Sequence, residues 1–86
     1  MDVIYKATNK INNKCYVGWT VDFEIRKLKH KNDAKNNKGY YFHNAIRKYG
    51  FENFDWNVLY EGFDAKEKET YYIEENKSFY FENGYN

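Results

Sequence analysis

Asp22, Arg26 and His30 recur every four residues, a spacing that aligns three side chains on one face of a helix. Arginine presents a planar fork that matches phosphate oxygens, and histidine can donate or shuttle a proton. The same spacing also fits a solvated stripe with an Asp22–Arg26 ion pair, a contact that contributes about 0.3 kcal/mol. Glu69 precedes Tyr72 and Ile73 by three and four residues, so an inward Ile73 would make Glu69 lean inward. A carboxylate there needs a basic partner or a metal ion. Glu67, Glu74 and Glu75 fall on the solvated side. Tyr5 and Tyr16 lie on two apolar runs, and the pairing register decides whether their phenols meet on one face. The plain alternative is that both are core rings.

The elements that must position these groups follow from pattern and turn chemistry. Residues 3–8 read as a strand, 9–13 as an Asn-rich turn, and 14–19 as the returning strand, which together make a hairpin. The stretch KCYVGWT places Gly18 inside that second strand, where glycine marks a bulge or a close approach. Thr20 is the expected N-cap of a helix running to about residue 35, with Asp22 and Glu24 in its first turn and Val21, Ile25 and Leu28 as its apolar stripe. A break is expected at 36–39. A second helix spans 41–49 and ends at Gly50, a suitable C′ glycine. Residues 54–60 alternate at first and then become apolar, as a third strand with one face well buried. Asp64 and Glu67 have capping-box spacing for a helix to about residue 76. The tail SFYFENGYN is expected to be irregular and docked by its aromatics. The order ββααβα indicates an α+β domain, a small sheet with helices packed on it, spanning residues 1–86.

Composition narrows the function classes. Ten Tyr, seven Phe and two Trp supply core mass to a chain of 86 residues, which has room for one core. The net charge of +1 excludes a histone-like polycation and predicts weak non-specific affinity for nucleic acid. Basic residues nevertheless concentrate between Arg26 and Lys38, with Asp33 the sole acid there. A single cysteine, Cys15, cannot close an internal disulfide and fits a reducing cytosol. Its alternation with Val17 and Trp19 makes it a core residue. His43 reads as a surface or packing residue. No apolar run is long enough to span a membrane, and the expected location is cytoplasmic. No zinc-ligand pattern, P-loop or dinucleotide fingerprint is present.

Taken in order, these residues resemble the GIY-YIG nuclease family. Val3-Ile4-Tyr5 matches the first half of that name and Tyr16-Val17-Gly18 the second. Arg26 and His30 match the helix that follows. HNAIRKYGFENFDWNVLYE, from His43 to Glu61, is similar to the linking helix and third strand of the intron-encoded and phage branch. Glu69 in ETYYI matches the metal-binding glutamate, and NGYN, closing at Asn86, the asparagine motif. One departure is plain: Val3 replaces the first glycine of the name. That glycine carries no functional group, so the chemistry is expected to survive.

The resemblance implies a small, mostly antiparallel three-stranded sheet flanked by helices. It also implies a metal-dependent DNA endonuclease that hydrolyses one strand at a time. Glu69 would hold a single Mg²⁺ or Mn²⁺, Arg26 would neutralise charge at the phosphorus, and Tyr5, oriented by Tyr16, would take the proton of the attacking water. A phenol with a pKa of about 10 must be lowered by nearby cations to do so near neutral pH. His30 would relay the proton or bind the phosphate, and Asn86 would brace the site. Gly18, Lys14 and Lys27 are expected to line the substrate, and Trp19 either stacks there on a sugar or base or caps the core, the core being slightly favoured. With no residue after Asn86, specificity is expected to be poor unless the chain is part of a longer protein or a separate DNA-binding domain or protein supplies it, and the chain is expected to be a monomer or weak dimer. Two other classes stay open: a catalytically silent nucleic-acid binder that keeps the fold, and a Tyr-rich interaction module.

Overall fold

The computed structural model describes residues 1–36, 40–80, 82 and 84–86. Three strands, β1 (Val3–Asn9), β2 (Cys15–Thr20) and β3 (Phe54–Glu61), form one antiparallel sheet in the order β2-β1-β3. Three helices, α1 (Phe23–Lys35), α2 (Tyr41–Tyr49) and α3 (Ala65–Glu75), give the chain order ββααβα. A single 3-10 turn, Phe51–Asn53, leads into β3. Of the break expected at 36–39, Asn36 is the C-cap of α1 and the rest lies outside the described residues.

Alternation along the strands divides the core in two. One face carries Ala7 and Phe54, which pack with Ala34, Phe42, Ala45, Ile46 and Tyr85 beneath α1 and α2. The other carries Ile4 and Val17, which pack with Ala65, Trp19, Leu59, Tyr72 and Ile73 beneath α3. Full burial of a side chain such as Phe42 stabilises by roughly 1.5–3 kcal/mol, so α2 is held mainly by Phe42, Ala45 and Ile46. Its end is set by Gly50, at φ +93°, whose N–H bonds to the Ile46 carbonyl at 2.9 Å.

In β3 the loss of alternation after Trp56 has a structural cause. Ile4 pairs with Tyr60 and Tyr5 with Val58, so Leu59 is an extra residue, a β-bulge. The bulge turns Leu59 and Tyr60 toward the α3 core, while Val58 stays exposed. The strand is therefore less buried than its apolar run suggests.

Three expectations about helix starts and faces are corrected. The N-cap of α1 is Asp22, whose carboxylate accepts from the Ile25 N–H at 3.0 Å; Thr20 instead exchanges hydrogen bonds with Asp22. Val21, Ile25 and Leu28 are exposed at 63%, 66% and 56%, and the helix buries His30 and Ala34. The rings of Tyr5, Tyr16 and Trp56 already fill the sheet face, so the helix meets it with a planar imidazole and a methyl group. At α3, Asp64 is the N-cap residue but makes no side-chain cap bond; its carboxylate accepts from the Tyr60 hydroxyl at 2.5 Å.

The described part of the tail is irregular, as expected, and is held by backbone bonds as well as by its rings. Gly84 forms a parallel bridge with Cys15, and the Tyr85 N–H bonds to the Cys15 carbonyl. A Cβ on Gly84 would run into the Ser78 backbone. Asn83 lies outside the described residues. No described helix is long and apolar enough to cross a membrane.

Candidate active site

The register of the hairpin places Gly18 opposite Tyr5 and Tyr16 opposite Ala7, so both phenols point to the α1 face. Their ring centroids lie 6.1 Å apart. Tyr5 is fully buried, whereas Tyr16 is half-buried and lines a cleft of about 370 Å³. That cleft runs past His30 and His43 to Tyr40, Tyr41 and Tyr80, with Asn86 on its wall. A Cβ on Gly18 would lie 2.5 Å from the Tyr5 hydroxyl and 3.0 Å from the Tyr16 ring. The glycine therefore makes room for Tyr5, which answers to its place inside the motif.

The Tyr5 hydroxyl bonds to His30 Nε2 at 2.7 Å, and His30 Nδ1 bonds to His43 Nε2 at 3.1 Å. His43 is buried, and its Nδ1 has no partner among the described residues. Sequence reasoning gave His43 a surface or packing role; it is a packing residue, and its contact with His30 was not foreseen. The available signal was its spacing, three residues before Ile46 on the apolar side of α2.

Electrostatics ties two charged side chains to the phenols. Burial holds the Tyr5 phenol far above its ordinary range, repulsion from Tyr16 adds to the rise, and the Arg26 guanidinium pulls it back. Burial and then the Glu69 carboxylate raise Tyr16, while a hydrogen bond with Tyr5 and the Arg26 charge pull it back. Burial, His43 and Arg26 together push His30 down to about 4. Burial also lowers His43, against the pull of Asp33. Both imidazoles are thus neutral near pH 7. Arg26 from α1 and Glu69 from α3 are both half-buried. Among the described residues neither makes a side-chain hydrogen bond or ion pair. The Asp22–Arg26 ion pair is absent because Asp22 caps the helix.

Asn86 works through its carboxamide. Its Oδ1 accepts from the Val17 N–H at 2.8 Å and its Nδ2 donates to the Val17 carbonyl at 2.7 Å. The side chain thereby imitates a neighbouring strand on the free edge of β2 and fixes the backbone between Tyr16 and Gly18.

The remaining residues weighed for substrate contact have the following surroundings. Trp19 alternates with Gly18 along β2, so its ring turns to the α3 core, where Lys66 Nζ sits 5.2 Å from its centroid. Lys27 is taken up within α1, 3.4 Å from Glu24 and over the Phe23 ring. Lys14 is exposed at the hairpin turn, and no contact joins it to Tyr5, Tyr16, Arg26 or Glu69.

A family description, the GIY-YIG catalytic domain, matches residues 1–86. The chain belongs to the GIY-YIG family. The catalytic domain of homing endonuclease I-TevI superposes with a TM-score of 0.84 at 32% identity, covering 100% of this chain and 97% of that one. A mutant form of the same catalytic domain gives 0.81 at 31% identity, covering 100% and 93%. The putative endonuclease segB of Enterobacteria phage T4 is 41% identical over 63 residues, 73% of this chain and 25% of the relative. A putative MSV199 domain-containing protein, 146R, of Invertebrate iridescent virus 6 is 39% identical over 59 residues, 67% and 24% respectively. The chain therefore spans about a quarter of the length of these two relatives. The GIY-YIG fold is the α+β arrangement described above, with the phenols, Arg26 and Glu69 gathered around β2.

Proposed function

We propose that this GIY-YIG domain is a DNA endonuclease that hydrolyses phosphodiester bonds one strand at a time. One observation carries the reading. An unpaired guanidinium and an unpaired carboxylate, on different helices, both act on the half-buried Tyr16 phenol. A structural ion pair would have joined Arg26 to Glu69; an arginine left unpaired suits an oxyanion.

Glu69 is the residue that would hold a divalent cation. No group of three or more His, Cys, Asp or Glu able to hold a metal occurs among the described residues. A lone carboxylate fits a hard ion such as Mg²⁺ or Mn²⁺ that keeps most of its waters, and does not fit an ion needing an all-protein cage. Bound there, the ion would supply Lewis-acid stabilisation of the leaving oxygen.

The chain's own groups divide the remaining work. Arg26 binds the scissile phosphate and neutralises the charge that builds on its oxygens. Tyr16, in its phenolate form, receives the proton of the attacking water and becomes a neutral phenol. It is the phenol open to the cleft, whereas Tyr5 is enclosed; burial favours the protonated form of both, and the Arg26 charge works against it. Tyr5 and His30 orient Tyr16 from behind, and Asn86 fixes its strand. A net charge of +1 gives little non-specific grip on DNA, so target choice is assigned to a separate DNA-binding domain or protein.

The reading is tested on supercoiled plasmid with Mg²⁺, Mn²⁺ or EDTA. Nicked circles should form before linear product in either metal and not in EDTA. Cleavage that persists in EDTA overturns the metal role, and linear product without a nicked intermediate overturns strand-by-strand cutting.

A further inference from the structure

Three exposed tyrosines gather at one place. Tyr40, Tyr41 and Tyr80 are exposed at 75%, 56% and 58%, and all three line the cleft that reaches Tyr16. Tyr40 is the N-cap residue of α2, a position where Ser, Thr, Asp or Asn would stabilise the helix. It makes no side-chain cap bond, and its ring lies 6.3 Å from that of His43. Tyr41 opens the helix, and its ring stacks on Tyr80 at 5.0 Å and 14°. Each ring of that pair covers one face of the other and keeps more than half of its surface open. Helix-start chemistry is thus given up at α2, and such departures from local preference occur where a site is built.

The cleft has the size and walls of a ligand site. Its volume of about 370 Å³ falls within the range of small-molecule pockets. Its lining is made of phenol rings, Phe42, two imidazoles and the Asn86 carboxamide; among the described residues no Leu, Ile, Val or Met takes part. Aliphatic side chains would suit an alkyl chain or an apolar helix. Flat rings that carry hydroxyls and ring nitrogens suit a flat ligand with polar edges. A nucleobase has that shape, with two π faces to stack and an edge of donors and acceptors.

Position selects which base. Tyr16 and His30 form one end of the cleft, and Arg26 stands one turn before His30 on the same face of α1. A phosphate held by Arg26 near Tyr16 brings the base of an adjoining nucleotide to the cleft. A base paired inside a duplex cannot enter until it leaves the stack.

We propose that this cleft is a base-binding subsite, in which Tyr40, Tyr41 and Tyr80 take up an unpaired base of the DNA strand next to the phosphate held by Arg26. The inference rests on the nuclease reading above and names the substrate that the site favours: DNA with an unpaired base at the cut. Tyr41 and Tyr80 supply the stacking platform, and Tyr40 a further ring face. Every base has a π face, so the subsite tolerates any sequence, in keeping with target choice by a separate domain.

The test is binding of a fluorescein-labelled oligothymidylate of about 12 nucleotides to the full chain, read by fluorescence anisotropy in EDTA. An abasic strand of the same length and the paired duplex are the comparisons. The thymidylate strand should bind about 10-fold more tightly than the abasic strand. Y41A and Y80A should each weaken the thymidylate strand about 10-fold and leave the other two unchanged, whereas Y41F and Y80F, which keep the ring, should bind like the wild type. Melts of the variants check the fold, and the wild-type comparison of the two strands needs no variant. Equal binding of the two strands, no binding of the thymidylate strand, or equal losses on both strands in the alanine variants overturns the proposal. So does a thymidylate preference that survives both alanine variants. No step requires cleavage. A domain that prefers the thymidylate strand but never nicks contradicts the nuclease reading alone. One that nicks plasmid with metal but binds both strands equally contradicts the base subsite alone.

Discussion

Gly18 shows how tightly single atoms are placed around the phenols. An added methyl group would meet the Tyr5 hydroxyl and ring carbon at 2.5 and 2.6 Å, closer than real contacts allow. Tyr5 would have to shift, and with it the 2.7 Å bond to His30. Gly18→Ala should therefore destabilise the domain by about 1–3 kcal/mol, the usual cost of overpacking, measured by urea unfolding. An unchanged midpoint would show that Tyr5 has room to move. His30 supports a second prediction. Its folded pKa of about 4 lies below the ordinary value of 6.5. The unfolded chain therefore takes up a proton first as pH falls. The stability contributed by neutral His30 is complete above about pH 6.5 and is lost progressively down to about pH 4. Between pH 7 and pH 5 the domain should lose about 2 kcal/mol from this group. A His30→Phe variant should show a correspondingly flatter pH dependence, and an equal slope in both proteins would contradict the assignment.

At the level of elements, α1 separates what periodicity can reveal from what it cannot. The hairpin, the α2 stop at Gly50 and the order of elements were legible because each has a local cause: turn-forming asparagines, a glycine at positive φ, alternation. The buried face of α1 was not. Val21, Ile25 and Leu28 are its most apolar residues, yet the sheet beneath was already filled by Tyr5, Tyr16 and Trp56, and what fitted was His30 and Ala34. Volume on a partner element cannot be read from a helix's own pattern. Lys27 is likewise taken up within α1, whereas Trp19 packs in the core as the favoured reading had it, and the hydrogen bonding expected of Asn86 goes to Val17 across 69 residues of chain. The exposed stripe gives its own prediction. Ile25→Glu and Leu28→Glu should each change unfolding free energy by no more than about 0.5 kcal/mol, the range for surface sites. Asp22→Ala should cost about 1 kcal/mol through loss of the cap. Thermal melts of the three variants check both, and a severe loss with either glutamate would mean that the stripe is covered.

Across the whole molecule, the sheet works as a partition with chemistry at its edge. Its two faces are packed by separate cores, and the groups that matter come from both sides: the tyrosines and Arg26 from one, Glu69 from the helix on the other. Strand β2 is the place where they can meet, because it is an edge strand, with Gly18 making room for the Tyr5 ring and Asn86 fixing the backbone at Val17. Under the proposed function, the tail, through Tyr85 and Asn86, would be part of the active-site frame. The most direct measurement compares nicking of supercoiled plasmid by the wild type, Arg26→Ala and Glu69→Gln in the same Mg²⁺ buffer, with a melt of each protein alongside. Because neither side chain is engaged in the fold, both variants should melt within a few degrees of the wild type and should nick at least about 100-fold more slowly. A folded Glu69→Gln or Arg26→Ala that nicks within about three-fold of the wild type, well short of the loss that removing a transition-state charge contact causes, would contradict the account.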